Sequence, residues 1–417
     1  MGGASRELPL AGLRVLDATA WWAGPAASHM LATLGADVVH LESIQRPDGM
    51  RMAGGAFYDR ERWWEQSAFF LAANTNKRGI TLDLTRTEGV AVAKRLVAQS
   101  DIVIENFTPR VMENFGLGRE SIASLNPQAI FVRMPAFGLD GPWRDNTGFA
   151  QTMEQMSGLA WLTGHRDDQP RIQRGPCDPL SGLHAVFSLL VALEERRAKG
   201  SGVFVECTMV EGALNAAAEQ LVEFTAYGNL MERQGNRAYH AAPQGLYACR
   251  GHSPETPRWL ALSVATDAQW QSLRAWLGDP AWAADPGLES LLGRREQHDK
   301  IDEYLRSFFG ERDRDEAVQE LVDAGIAAGA VADPRESSGH PQMRARHFHE
   351  FLEHPVAGRI AHPSVPFRYA SVSNWLNRPA PTLGQHNREI LLELGYDEAA
   401  IAALEEQKIV GTLPENL

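Results

Sequence analysis

Three things are scarce in this 417-residue chain, and each scarcity excludes a class of protein. There are three cysteines, Cys177, Cys207 and Cys249. They are too few for a disulfide framework and match no metal-ligand spacing, so no metal is expected and a reducing cytoplasm is the simple inference. No run of about 18 apolar residues occurs, and Met1-Gly-Gly-Ala-Ser-Arg-Glu7 precedes no apolar signal core, so a soluble protein without a membrane partner is expected. Positive charge is also short: 40 Lys and Arg against 53 Asp and Glu give a net charge of −13. A nucleic acid needs a basic surface and is not expected as a partner, whereas a small anionic ligand needs only a local positive site.

A glycine fingerprint is missing as well. Leu13 to Asp17 reads as a strand, Gly24-Pro25 opens a helix through Leu34 that stops at Gly35, and Asp37 to Glu42 is a second strand. Together they form a βαβ unit with its ligand loop at Ala18 to Gly24. That loop lacks Gly-x-Gly-x-x-Gly, which argues against a dinucleotide dehydrogenase even though Glu42 imitates a ribose-binding acid.

What is present is an alternation of strands and helices. Strands are expected at Ile80–Leu84, Asp101–Asn106, Ala129–Met134 and Val203–Met209, with helices at Glu88–Ala98, Gly148–Gly158 and Glu211–Tyr227. This pattern predicts a Rossmann-like, doubly wound parallel sheet whose site lies at the carboxyl ends of the strands. A polar stretch from Asn229 to Ala242 reads as a linker, and a smaller α/β unit begins near Trp259. The division expected is 1–228 for the large domain, 229–325 for linker and small domain, and 326–417 for a segment returning to the large domain. Ser43 to Trp64 has no clean period and reads as a long loop, a candidate lid.

The central stretch is Gln173-Arg-Gly-Pro-Cys-Asp-Pro-Leu-Ser-Gly-Leu-His184. Leu183, Val186, Phe187, Leu190 and Leu193 recur at helical spacing, with the start marked by Asp178-Pro179 and the end by Gly200. A carboxylate at a helix mouth is kept ionised by unpaired N–H groups and the macrodipole. On the residues alone, Asp178 reads equally as a plain N-cap followed by Pro.

Taken with its companions, this stretch resembles the family III CoA-transferases, the group of formyl-CoA transferase, CaiB/BaiF and α-methylacyl-CoA racemase. The opening Leu13-Arg-Val-Leu-Asp17 with Ala23-Gly-Pro25 and Leu34-Gly-Ala-Asp37 carries the likeness, as do Asn76-Lys-Arg78 with Leu82-Asp-Leu84, and Glu105-Asn-Phe107. Phe137-Gly138 with Gly141-Pro142, and Pro381-Thr-Leu-Gly-Gln-His-Asn-Arg-Glu-Ile-Leu391, extend it over almost the whole chain. Cys177 stands where the family has Gly before its nucleophilic Asp, and is read as a packing residue. His386 is read as a capping or core residue.

The resemblance implies a large Rossmann-like domain, a smaller domain and an interlocked-ring homodimer. It implies that CoA, a substrate and not a tightly bound cofactor, lies across Ala23, Leu82, Asp83, Asn106, Phe107 and Thr108. Two of the family's usual cations are Ser43 and Asn114 here, so Arg46, Lys77 or Arg110 is expected to supply positive charge. Asp178 is the expected nucleophile: it takes the acyl group of a donor acyl-CoA as an anhydride, then carries CoA as a thioester to an acceptor carboxylic acid. Backbone N–H groups at the helix start are expected to hold the oxyanions. Trp21, Trp22, Phe149 and Trp161 are expected near the site, Trp22 and Phe149 as substrate-pocket walls favouring a hydrophobic or aromatic acid. The alternatives are racemisation and non-catalytic CoA binding. The racemase branch needs a Gly-His-Asp where Gly148-Phe149-Ala150 stands, and non-catalytic binding would leave Asp178 as a cap bonded to the N–H groups of Leu180 and Ser181.

Overall fold

The computed structural model describes residues 8–53 and 58–415. Six strands form one sheet: β1 (Arg14–Ala18), β2 (Asp37–Glu42), β3 (Arg78–Thr81), β4 (Ile102–Glu105), β5 (Ile130–Arg133) and β6 (Phe204–Glu206). Their order is β3-β2-β1-β4-β5-β6, and every neighbouring pair is parallel. The winding direction reverses between β1 and β4, which opens a crevice at their carboxyl ends.

Period-two alternation sorts the strand residues between two cores. Val15, Val38, Ile102, Ile104, Ile130 and Val132 face one side, where they bury with Ala27 and Leu31 and with Ala185 and Leu189. Leu16, Val39, Val103 and Phe131 face the other side, with Val92 and Leu96 and with Ile390, Leu391 and Leu404 from the C-terminal segment. The chain end therefore completes the second face.

By its contacts the chain divides into two units, one of residues 1–160, 172–230 and 345–417 and one of residues 161–171 and 231–344. The smaller unit has the antiparallel sheet β7 (Gln244–Ala248), β8 (Trp259–Ser263) and β9 (Ala327–Ala330). Its core joins Tyr247, Leu260 and Leu262 of the sheet to Trp270, Leu305, Phe309 and Leu321 of its helices.

Several expectations need correction. The return at 326 comes too early, because β9 pairs with β8 and the chain rejoins the large unit only at 345. Residues 161–171, including Trp161, group with the smaller unit. The third strand ends at Thr81 and not Leu84, because Leu82 N–H still reaches Glu42 O but Asp83 N–H turns to Ile409 O. The helix expected over 211–227 is two, Met209–Ala216 and Ala218–Tyr227, broken at Ala217.

Part of the candidate lid, Ser43 to Trp64, is tied to the fold at Gly49–Met52; residues 54–57 lie outside the described residues. Asp48 caps a short 3-10 helix, Gly49–Met52. Within it Arg51, fully buried, forks onto Glu42 at 2.8 and 2.7 Å and bonds Glu65 at 2.6 Å. A guanidinium spent this way fixes the segment as a wall.

The long helix Cys177–Lys199 is long enough, and apolar enough over its first 18 residues, to cross a membrane. Cys177, Ala185, Leu189 and Ala192 nevertheless bury in the first core, which is the placement of a core helix.

Candidate active site

Two helix starts meet at the crevice. The helix Ala23–Thr33 follows β1 directly, and the long helix crosses it at Gly182. A Cβ at Gly182 would come within 2.9 Å of Ala23 O and 3.2 Å of Ala27 N, so only glycine lets the two backbones approach this closely. Asp178, one turn earlier, is thereby brought beside Trp22 and Ala23.

A cavity of about 610 Å³ opens there. Asp178 lines it, with Ala23, Leu82, Asp83, Asn106, Phe107, Thr108, Trp22 and Phe149, all expected at the site from sequence. Trp21 lines it too, whereas Trp161 does not. Asn106 reaches the wall with its amide already used: Oδ1 accepts from Ala20 N–H at 2.9 Å and Nδ2 donates to Ala20 O at 2.8 Å, clamping the loop after β1.

The aromatic wall is held in place by strain and by polar ties. Trp21 sits at φ 65°, a backbone region costly for a bulky residue, and its N–H donates to Asp48 Oδ1 at 2.8 Å. Its ring meets Phe149 edge to face at 5.2 Å and lies against Gly49, where any side chain would collide with the indole. Trp22 meets Phe69 edge to face at 5.2 Å and packs over Gly175.

Asp178 is not the N-cap. Pro176 occupies that position, no side chain caps the helix, and Leu180 N–H bonds Pro176 O. No N–H or O–H of the described residues donates to the Asp178 carboxylate. Burial, and then the charge of Glu154, push its pKa up to about 7, so it is not held ionised as a helix mouth alone would hold it. The expected oxyanion donors at this helix start are also spent. Cys177 N–H goes to Glu154 and Asp178 N–H to Gly175 O, and Pro179 has none. The N–H groups of Ala23 and Gly24, at the other helix start, have no partner among the described residues.

The three expected cations separate. Arg46 lines the cavity and is exposed, without an ion pair among the described residues. Lys77 is fully buried and bonds Asp17 at 3.0 Å, Ser28 Oγ at 2.8 Å and Asn74 Oδ1 at 2.8 Å, so it serves the fold. Arg110 pairs with Asp145 at 3.3 Å and lies outside the cavity. Cys177 is fully buried, and burial pushes its thiol up to about 11, as suits a packing residue. His386 accepts from Gly79 N–H through Nδ1 at 3.0 Å and is a structural pin.

Sequence reading missed Glu154 and Asp48. Both are buried acids with one oxygen that receives no hydrogen bond among the described residues, Asp48 Oδ2 lying 3.9 Å from His40 Nε2, and nothing in their spacing distinguishes them from surface acids. Among the described residues no cluster of His, Cys, Asp and Glu is arranged to hold a metal ion.

Comparison with known proteins places the chain among relatives that it matches over nearly its whole length. The chain is 33% identical over 405 residues, 96% of its length and 98% of the relative's, to succinyl-CoA–D-citramalate CoA-transferase of Chloroflexus aurantiacus. It is 27% identical to the formyl-CoA:oxalate CoA-transferase of Escherichia coli, over 96% and 99% of the two chains. The solved structure of a CaiB/BaiF family protein from Brucella suis superposes with a TM-score of 0.84 at 28% identity, covering 93% of this chain and 100% of that one. The model for "CoA-transferase family III" matches residues 10–387, and a match of that extent, over a Rossmann-order sheet with a partnerless aspartate in its crevice, places the chain in that family as a CoA-transferase.

Proposed function

We propose that the protein moves CoA from a donor acyl-CoA to a carboxylic acid acceptor, with Asp178 as the covalent carrier. The observation that carries this is the Asp178 carboxyl itself, set in a cavity wall without a hydrogen-bond or ionic partner among the described residues. A capping aspartate would bond the N–H groups of Leu180 and Ser181, and this one does not.

The steps balance without net acid or base. The Asp178 carboxylate attacks the donor thioester carbonyl and expels CoA thiolate, giving an aspartyl–acyl anhydride. The thiolate attacks the aspartyl carbonyl, forming an aspartyl-CoA thioester and releasing the donor acid. The acceptor carboxylate displaces the thiolate again through a second anhydride. Thiolate attack on the acceptor carbonyl then yields acceptor-CoA and restores Asp178. The free N–H groups of Ala23 and Gly24 are suited to stabilise the oxyanions, and Arg46 is suited to meet a CoA phosphate. Racemisation needs a proton carrier on each face of the substrate carbon. Phe149 stands where the family's racemases place histidine, and no histidine lines the cavity.

The walls of Trp21, Trp22 and Phe149 favour a hydrophobic or aromatic acyl group. A second copy of the chain is the expected partner, since Leu183, Phe187 and Val191 form an exposed apolar stripe on the long helix. Three free cysteines suit a reducing cytoplasm.

The test is mass spectrometry after incubation with a panel of acyl-CoAs and hydroxylamine, which traps an acylated carboxylate as a hydroxamate. Label at Asp178 is expected, with loss of CoA exchange by at least about 10³-fold in Asp178→Ala and a melting temperature no lower than that of the unaltered protein. Exchange surviving in that variant overturns the reading.

A further inference from the structure

Glu154 is a carboxyl for which the transfer steps have no use, and its placement is unusual. It is fully buried on the helix Ala150–Met156, directly after the cavity-wall residue Phe149. Its Oε1 accepts from Cys177 N–H at 3.5 Å, and the nearby Gly175 N–H helps to offset the effect of burial on this carboxyl. Those N–H groups belong to the turn that delivers Asp178. The other oxygen, Oε2, is buried and has no hydrogen-bond partner among the described residues.

The titratable groups facing Glu154 are the Cys177 thiol and the Asp178 carboxyl, both from the long helix. On the adjoining helix Met209–Ala216 the acid is Glu211, and its charge falls on Cys207. No cation of the described residues pairs with either carboxyl. An uncompensated charge in such a place is expensive, and burial raises the pKa of Glu154 as it does that of Asp178.

We propose that Glu154 is a positioning residue for the CoA-transfer reaction: from the buried helix behind the site it holds, through Cys177 N–H, the turn that presents Asp178, and it sets a second carboxyl next to that nucleophile. The idea rests on Asp178 being the nucleophile and adds a second carboxyl coupled to it. The pair titrates as a unit, so the second negative charge is resisted. A carboxylate whose anion is poorly stabilised by its surroundings is the more reactive toward a thioester carbonyl. Once Asp178 is acylated it is neutral, and the repulsion disappears.

Glu154→Gln keeps an oxygen for the Cys177 and Gly175 N–H groups and removes the charge. The acidic limb of the kcat/KM–pH profile is expected to move down by about half to one pH unit, at an unchanged melting temperature. Glu154→Asp keeps the charge but retracts the oxygen from the turn; it is expected to lose kcat with the limb held in place. A measurement on an intact residue 154 guards against a misfolded variant: by reciprocity the Glu154 carboxyl, followed by 13C NMR, titrates lower in Asp178→Asn than in the unaltered protein. A limb unmoved in Glu154→Gln, or a Glu154 titration indifferent to Asp178→Asn, overturns the proposal. Hydroxylamine label on Asp178 in the same samples separates the two ideas. Absent label removes the nucleophile assignment, whereas label with an unmoved limb removes only the role of Glu154.

Discussion

Two groups of buried acids lie at the carboxyl edge of the same sheet, and they are treated in opposite ways. Asp17 and Glu42, on β1 and β2, are surrounded by counter-charges. Asp17 bonds Lys77 at 3.0 Å and His40 Nδ1 at 2.9 Å, and Glu42 receives the fork of Arg51. Burial works against both anions, yet Lys77 and His40 hold Asp17 well below the usual carboxylate range, and Arg51 does the same for Glu42. Asp178 and Glu154 have no cation among the described residues, and burial raises both. The compensated acids anchor the fold beneath the cavity, whereas Asp178 keeps a carboxyl at its wall that no described residue pairs.

The contrast can be broken most forcefully at Lys77. Lys77→Met should strand the Asp17 charge and cost about 3–5 kcal/mol of stability, read from urea unfolding. A loss below about 1 kcal/mol would show that the first group is not held by its ion pairs.

A milder effect comes from pH. The folded pKa of Asp178, about 7, lies above its ordinary 3.8, so the folded state binds this proton more tightly. The stability associated with it is fully present below pH 3.8 and is lost as pH rises toward 7. Asp17, with its depressed pKa, does the reverse: its contribution is present above its ordinary 3.8 and fades only as the medium becomes strongly acidic. Asp178→Asn should therefore gain about 1–3 kcal/mol on the parent between pH 4 and pH 7. Melting curves of the two proteins that stay parallel across this range would erase the distinction between the two groups.

The smallest effect is expected at Arg46, a cation at the cavity left free of the acids that occupy Lys77 and Arg51. Arg46→Ala should raise KM for acyl-CoA about 3- to 10-fold with kcat kept, and the difference should shrink as salt is added. A fall in kcat at constant KM would move Arg46 from binding to chemistry.

Much of this was legible in the residues. The valines and isoleucines of β1, β2, β4 and β5 read as strands because a parallel sheet buries both faces, and the ordered set of short motifs marked Asp178 and the loops that meet it. Pairing and long-range bonding were not legible. That β9 joins β8 and holds 327–344 in the smaller unit depends on a partner some 65 residues away. Nor could the 43–64 loop be seen from sequence to be anchored through Arg51 to Glu42 and Glu65.

By itself the sequence determined the strand–helix alternation, the family and the identity of the aspartate at the start of the long helix, since periodicity and motif spacing are local properties of a chain. Only the tertiary structure decided which acids are neutralised and which are not. A charge's cost depends on the dielectric and the counter-ions around it, and those are supplied by segments far apart in sequence: Lys77 for Asp17, and for Asp178 only another carboxyl.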